Sequence, residues 1–303
     1  MARHLYLHSE DLDGWLAPHN HEIPARYVAL LSRLEGLSVE AGGERHELRI
    51  VLNSGKSPAY LEAQAARFGG GHLIGCIGAA YRAVGGPTHR VAPPTDDFRR
   101  LRQLLGLPER QTGVLPVPGA GEAVELVAEE GKQDEHGDLV LTLFPEPEPV
   151  AHRWRFRGGL DRHELCRRVR EAIEGHRLAL HAYPPHGDGG LDIVPIAFGR
   201  PLGKWTLPWI ARQLFPESTL YVTHGGDSGT DLPALEEPGV LPLTATGTDV
   251  VDAVRRGDGL VVDGPAAGGP AVLRCYRALA RRGFYGPLSP QVERICADFG
   301  NGV

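Results

Sequence analysis

Short apolar runs that stop at glycine, serine or acidic residues recur along this chain. Between them lie stretches in which apolar residues return every third or fourth position. Leu5-Tyr6-Leu7 is the first run and ends in Ser9-Glu10-Asp11-Leu12-Asp13-Gly14-Trp15-Leu16. After Pro24, the spacing of Val28, Leu31 and Leu34 predicts a helix packed on a sheet. A second strand, 48–52 (L-R-I-V-L), breaks at Asn53-Ser54-Gly55-Lys56-Ser57, and Pro58 opens a helix to about Phe68. A third, 73–77, runs into Gly78-Ala79-Ala80-Tyr81. This β-α-β-α-β order is the opening of a doubly wound, Rossmann-like α/β core with a mostly parallel sheet.

The pattern changes in the middle of the chain. Proline-rich joins at 92–94 and 144–149 bracket a helix at 96–105 and strands at 123–128 and 139–144. A strand at 152–156, a helix at 161–173 and a strand at 178–183 follow. Helices and strands without strict βαβ alternation predict an inserted α+β cap at 87–190, set into a core formed by 1–86 and 191–303. Residues 191–195 read as a strand returning from the cap to the core. Gly203-Lys204 then precedes an amphipathic helix (Trp205, Leu207, Trp209, Ile210, Leu214), whose two tryptophans read as core. A strand at 220–223 leads to Gly225-Gly226-Asp227-Ser228-Gly229-Thr230-Asp231. Segments 240–243, 250–254, 260–262 and 271–280 continue the alternation.

Composition narrows the partners. The 303 residues allow one large or two ordinary domains, and 42% hydrophobic with 23% charged residues is ordinary for a globular chain. A net charge of −6 without a basic block argues against nucleic acid. Cys76, Cys166, Cys275 and Cys296 form no CxxC and read as buried free thiols in a reducing compartment. No leader-like core and no run of about 18 apolar residues occurs, so no membrane partner is expected and the protein reads as cytoplasmic. Oligomeric state is not readable.

Chemistry gathers at the predicted strand ends, where open α/β sheets bind ligands. Asp11 and Asp13, spaced i, i+2 on extended chain, point to one side with Leu12 turned away. Ser54 and the amides of Gly55 and Lys56 suit a phosphate; the alternative is simple helix capping by Ser54 or Ser57. Asp227 and Asp231 are candidate cation ligands, against a glycine-rich turn with Asp231 as helix cap. Asp192 is a candidate for a sugar hydroxyl, against capping or solvent exposure. His19, His21 and Glu22 lack partners at ligand spacing and read as loop. His224 either lines the pocket or packs.

Taken together, D-L-D-G-W, N-S-G-K, G-K-W and G-G-D-S-G-T-D resemble, in order, the four motifs of the haloacid dehalogenase (HAD) superfamily of phosphohydrolases. The resemblance covers most of the chain, with the insertion between the second and third motifs. Ser54-Gly55-Lys56-Ser57, Ile77-Gly78-Ala79-Ala80-Tyr81, Trp154-Arg155-Phe156 with Asp161, and Leu191-Asp192-Ile193-Val194-Pro195 further resemble the sucrose-phosphate phosphatase group. This implies a sugar-phosphate phosphatase working through an aspartyl-phosphate. Asp11 would be the nucleophile, Asp13 the general acid and base, and Ser54 and Lys204 the groups that hold the phosphoryl and balance charge. Mg²⁺ would be held by Asp11, the Asp13 carbonyl and Asp227, with Asp231 behind them or acting through a water. Gly55, Lys56 and Asp192 would contact substrate.

Two departures stand out. Lys56 replaces a common Arg and cannot form a bidentate fork. Trp15 occupies the place of a Thr, which is read as a local shift, an aromatic wall against a sugar, or impaired catalysis. The competing functions are a non-catalytic sugar-phosphate binder partnering a glycosyltransferase, a phosphomutase-type phosphotransferase, and a phospho-receiver domain.

Overall fold

The strand Arg3–Glu10 occupies the middle of the main sheet because the chain builds outward from it twice. First it goes to one side, through Glu44–Asn53 and His72–Gly75, all parallel. After the insertion it goes to the other, through Thr219–Gly225, Val240–Ala245 and Leu260–Val262, again parallel. The order of strand addition therefore reverses at Arg3–Glu10, and the carboxyl ends beside it form the switch point at which such sheets bind ligands. Short antiparallel strands Ala80–Arg82 and Thr88–Arg90 extend one edge, and Ser38–Ala41 pairs antiparallel with Glu44–Asn53.

This computed structural model describes residues 2–19, 21–107, 126–128, 131–145, 147–150, 153–156, 162–185 and 190–300. Of the expected cap elements, 123–125, His152 and Asp161 lie outside the described residues.

The amphipathic patterns account for the layers. Pro270–Arg281 buries Ala271, Val272, Cys275, Tyr276 and Leu279, a broad stripe that meets the sheet. Helices Ala25–Leu34 and Ser289–Gly300 join the same core. All four cysteines are buried and free, as their spacing suggested. Trp209 departs from the expected core position: it is 36% exposed and lies edge-on to Tyr81 at 5.9 Å, while Leu207, Ile210 and Ala211 form the buried stripe. Among the described residues, no helix is long and apolar enough to cross a membrane.

The chain divides into two compact units, Met1–Val91 with Gly203–Val303, and Ala92–Leu202. Residues 191–202, expected in the core, therefore belong to the second unit. The reason is pairing: among the described residues, Leu191–Ala197 hydrogen-bonds to Leu141–Pro145 and Leu180–Ala182, both antiparallel, within a sheet of its own. In that unit, Phe98, Leu101, Val169, Leu191 and Ile193 form one apolar core beneath helices Asp97–Leu104 and Arg162–Gly175.

His72 gives the main unit a testable acid sensitivity. Burial, then Arg49 and Arg3, push its imidazole down to about 4. The ring is edge-on to Phe215 at 4.9 Å. The folded state thus resists protonation of a group that the unfolded chain protonates near pH 6.5. This contribution is complete above pH 6.5 and is lost as pH falls toward 4, by up to about 1.4 kcal/mol per pH unit. Denaturation midpoints of His72→Phe measured between pH 7 and 4 should fall less steeply than those of the parent.

Candidate active site

Strand register brings the chemistry together. Glu10 is paired with Gly225 on one side and Leu52 on the other, so Asp11, Ser54 and Asp227 leave the sheet at the same end. The Asp11 amide donates to the Gly225 carbonyl at 2.9 Å, and the tight turn that follows returns Ala17 N–H to the Leu12 carbonyl at 2.8 Å. Leu12 is fully buried in the core, although residues 11–13 lie in a turn beyond the strand rather than on extended chain.

Lys204 is the hub. Only 1% exposed, its ammonium donates to Asp11 Oδ1 at 2.7 Å and Asp231 Oδ1 at 2.6 Å. Despite burial, those two carboxylates hold its pKa above the ordinary lysine value. Asp11 moves upward, mainly through burial and then the nearby Asp231 charge. Asp231 moves downward: burial opposes ionisation, but Lys204 and His224 outweigh it.

Both oxygens of Asp231 are in use. Oδ1 accepts from Lys204 and from His224 Nε2 at 3.0 Å; Oδ2 accepts from the amides of Asp227 and Ser228 at 3.2 Å and the Ser228 hydroxyl at 3.1 Å. Asp227 is the opposite case. Its Oδ1 is buried without a hydrogen-bond partner, and burial followed by Asp231 pushes the carboxyl up to about 6. A buried carboxylate oxygen left without a donor is expensive unless something else satisfies it.

One carboxylate oxygen from each of Asp11, Asp227 and Asp231 falls within a 4.8 Å cluster, with Lys204 as the ammonium bound to two of them. Three carboxylates against one ammonium leave two negative charges in a buried site, the balance a divalent cation would restore. Asp11 and Asp227 carry the lone pairs suited to it, and Asp231 supports Lys204 from behind.

Gly14 is required here twice over. Its φ is +84°, and a Cβ would come within 2.3 Å of Asp227 Oδ2. Gly226 is crowded likewise, with a Cβ placed 2.3 Å from Asp231 Cγ. Gly14→Ala is expected to displace Asp227 and to cost about 1–2 kcal/mol of backbone strain, visible in the melting curve.

The other expected residues divide between the two units. Asp13 is partly exposed, with Lys56 Nζ 3.3 Å from its carboxylate. Ser54 is buried, its amide donating to the Ile74 carbonyl at 3.1 Å. The helix Pro58–Ala66 is capped by Ser57, which accepts from the Tyr60 amide, so capping does not need Ser54. Gly55 has neither a positive φ nor a crowded Cβ position, so its backbone amide is what it can offer. Asp192 lies in the second unit, buried opposite Thr142, accepting that hydroxyl, with Lys132 Nζ 3.7 Å away. It neither caps a helix nor faces solvent, because the strand is covered on both sides.

Of the three readings of Trp15, the structure excludes the aromatic wall. The side chain is fully buried, and its indole N–H donates to Glu10 Oε2 at 2.5 Å, so it cannot be an open wall against a sugar. Its Glu10 partner is itself buried, with His8 Nδ1 3.4 Å from Oε1.

His224 carries more than the sequence indicated. An ionised Asp231 only accepts, so Nε2 holds a proton; in the neutral ring Nδ1 then accepts from Ser9 Oγ at 3.0 Å. Asn53 Nδ2 donates in turn to Ser9 Oγ at 3.1 Å. Ser9 and His224 are register neighbours on adjacent strands, a relation visible only once the pairing is known.

No protein-family model matches the chain, and no curated protein matches it. Solved structures do. Thermoplasma acidophilum protein 0175 is 12% identical, with 98% of this chain and 99% of that one covered and a TM-score of 0.55. The HAD-superfamily phosphatase BT1666 from Bacteroides thetaiotaomicron is 18% identical over 92% of this chain and 96% of that one, with a TM-score of 0.53. The HAD subclass IIB sugar phosphatase BT4131 is 15% identical over 91% and 98%, with a TM-score of 0.51. With a parallel sheet that reverses at Arg3–Glu10 and a separate α+β unit inserted into it, the chain has the fold of the HAD superfamily phosphatases.

Proposed function

We propose that this protein is a Mg²⁺-dependent phosphatase that hydrolyses a sugar phosphate through an aspartyl-phosphate on Asp11. The observation that carries the reading is the buried carboxylate site itself. Asp11 is held by Lys204, Asp227 keeps an unsatisfied oxygen, and two negative charges remain unbalanced. The same set of residues would hold Mg²⁺: Asp11 and Asp227 directly, Asp231 through Lys204 and the loop amides. When bound, the ion would neutralise phosphoryl charge as a Lewis acid.

The remaining steps belong to this chain's residues. Lys204 fixes the Asp11 carboxylate for attack at phosphorus, forming the Asp11–phosphorus bond as the bond to the sugar oxygen breaks. Asp13, partly exposed and reachable by substrate, gives its proton to that departing oxygen. Water then attacks the aspartyl-phosphate, Asp13 takes the water's proton, and phosphate leaves with Asp11 restored. Ser54 and the amides after it are suited to hold phosphoryl oxygens, and the Lys56 ammonium keeps Asp13 in place until substrate arrives.

Sugar phosphate as the substrate class is supported by one fold neighbour being a sugar phosphatase and by the separate inserted unit, where specificity would reside. The non-catalytic alternative rested on Trp15, and that residue is engaged with Glu10 in the core. The test is phosphate release over a panel of sugar phosphates, with Mg²⁺ and with chelator. Release that requires Mg²⁺ is expected. Equal release under chelator would remove the metal from the account, and no release from any phosphate ester would remove the phosphatase.

A further inference from the structure

At the amino-terminal ends of the same strands, away from the carboxylate site, a second cluster of ligand atoms forms by register alone. His4 and His46 are paired residues on adjacent parallel strands, and Glu44, two residues before His46, lies on the same face. One ring nitrogen of each histidine and a Glu44 carboxylate oxygen lie within 4.8 Å of one another. His4 Nε2 is 3.0 Å from Glu44 Oε2.

The outer partners are what a metal site needs. Tyr221 OH is 3.2 Å from His4 Nδ1, and Tyr6 OH is 3.2 Å from His46 Nδ1. Each histidine meets a tyrosine hydroxyl at Nδ1, the kind of outer contact by which ligating imidazoles are commonly oriented, and would then coordinate through Nε2. The tyrosines are themselves held: Tyr6 and Tyr221 stack at 4.9 Å, and Phe284 and Tyr285 meet Tyr6 edge-on. The His4 and Glu44 side chains are 18% and 47% exposed, so an ion can enter and keep a water. The imidazoles stack at 4.7 Å with planes 10° apart, so a shared ion requires one ring to tilt, and the more exposed His4 is the one that can.

We infer that His4, Glu44 and His46 form a transition-metal site, of the two-imidazole, one-carboxylate type that suits Zn²⁺ with an open fourth position. It is independent of the proposed phosphatase chemistry, since none of its residues belongs to the carboxylate site.

The probe is Co²⁺, followed by Zn²⁺. Full-length protein stripped with chelator is titrated with Co²⁺ in excess Mg²⁺, which occupies oxygen-only sites without colour. One Co²⁺ per chain, with the visible bands of four- or five-coordinate nitrogen ligation and displacement by one Zn²⁺, is expected. His4→Gln with His46→Gln should abolish the bands. Glu44→Gln, at an exposed carboxylate, should weaken Co²⁺ binding at least tenfold while leaving thermal unfolding and Mg²⁺-supported phosphate release unchanged. No visible spectrum, or one that persists unchanged in the double variant, would overturn the site. Loss of phosphate release alone would bear on the phosphatase reading instead.

Discussion

Asp11→Asn should abolish phosphate release, by ~10³-fold or more, while leaving the fold intact. The amide keeps the shape and accepts from Lys204 as the carboxylate does, but it is no nucleophile. Stability should not suffer. Asp11 is buried beside Asp231 and its pKa is raised, so its charge is a burden on the folded state that the neutral amide relieves. Kinetics and a melting curve on the same preparation separate the two effects: activity gone, midpoint equal or higher. Full activity in this variant would remove Asp11 from the chemistry.

Lys204→Met should damage both activity and stability. The side chain is 1% exposed and is the ammonium bound to both Asp11 and Asp231. Its removal leaves carboxylates facing one another in the interior, and breaking such a buried pair typically destabilises by about 3–5 kcal/mol. Arginine should not restore the site, because a planar guanidinium cannot occupy the same enclosed point between two carboxylates. The check is the denaturation midpoint with and without Mg²⁺. Added Mg²⁺ should recover part of the lost stability, since a cation offsets the charge that Lys204 no longer balances.

How far the site could be read beforehand depended on strand ends. Asp11, Asp13, Ser54, Asp227 and Asp231 each follow an apolar run closely, while Lys204 precedes a helix, and it is the resemblance of the four motifs in order that joins them into one site. What spacing cannot carry is how each oxygen is used. Asp227 and Asp231 look alike in G-G-D-S-G-T-D, yet one keeps a bare buried oxygen and the other accepts from five donors. Three of those donors come from the Asp227–Ser228 turn itself, whereas the Lys204 and His224 contacts exist only once the strands and the Lys204 turn are packed together. His224 and Ser9 were opaque for the same reason, since only register makes them neighbours. Of the three readings of Trp15, the aromatic wall fails because Glu10 offers the indole a buried acceptor, which a turn beside acids does not reveal in sequence. Residues 191–195 are apolar enough for either sheet, and pairing alone puts the boundary at Leu202/Gly203. Ser38–Ala41, short and half exposed, carries too weak an alternation to mark an edge strand.

The proposed intermediate is covalent, so the most direct measurement looks for the bond. The protein is mixed with a sugar phosphate and Mg²⁺, quenched in acid within the first turnover, digested and analysed by mass spectrometry. One phosphoryl group on the peptide containing Asp11, absent from Asp11→Asn, is the predicted result. Turnover with no phosphorylated peptide, or with the phosphoryl group on another residue, would contradict it.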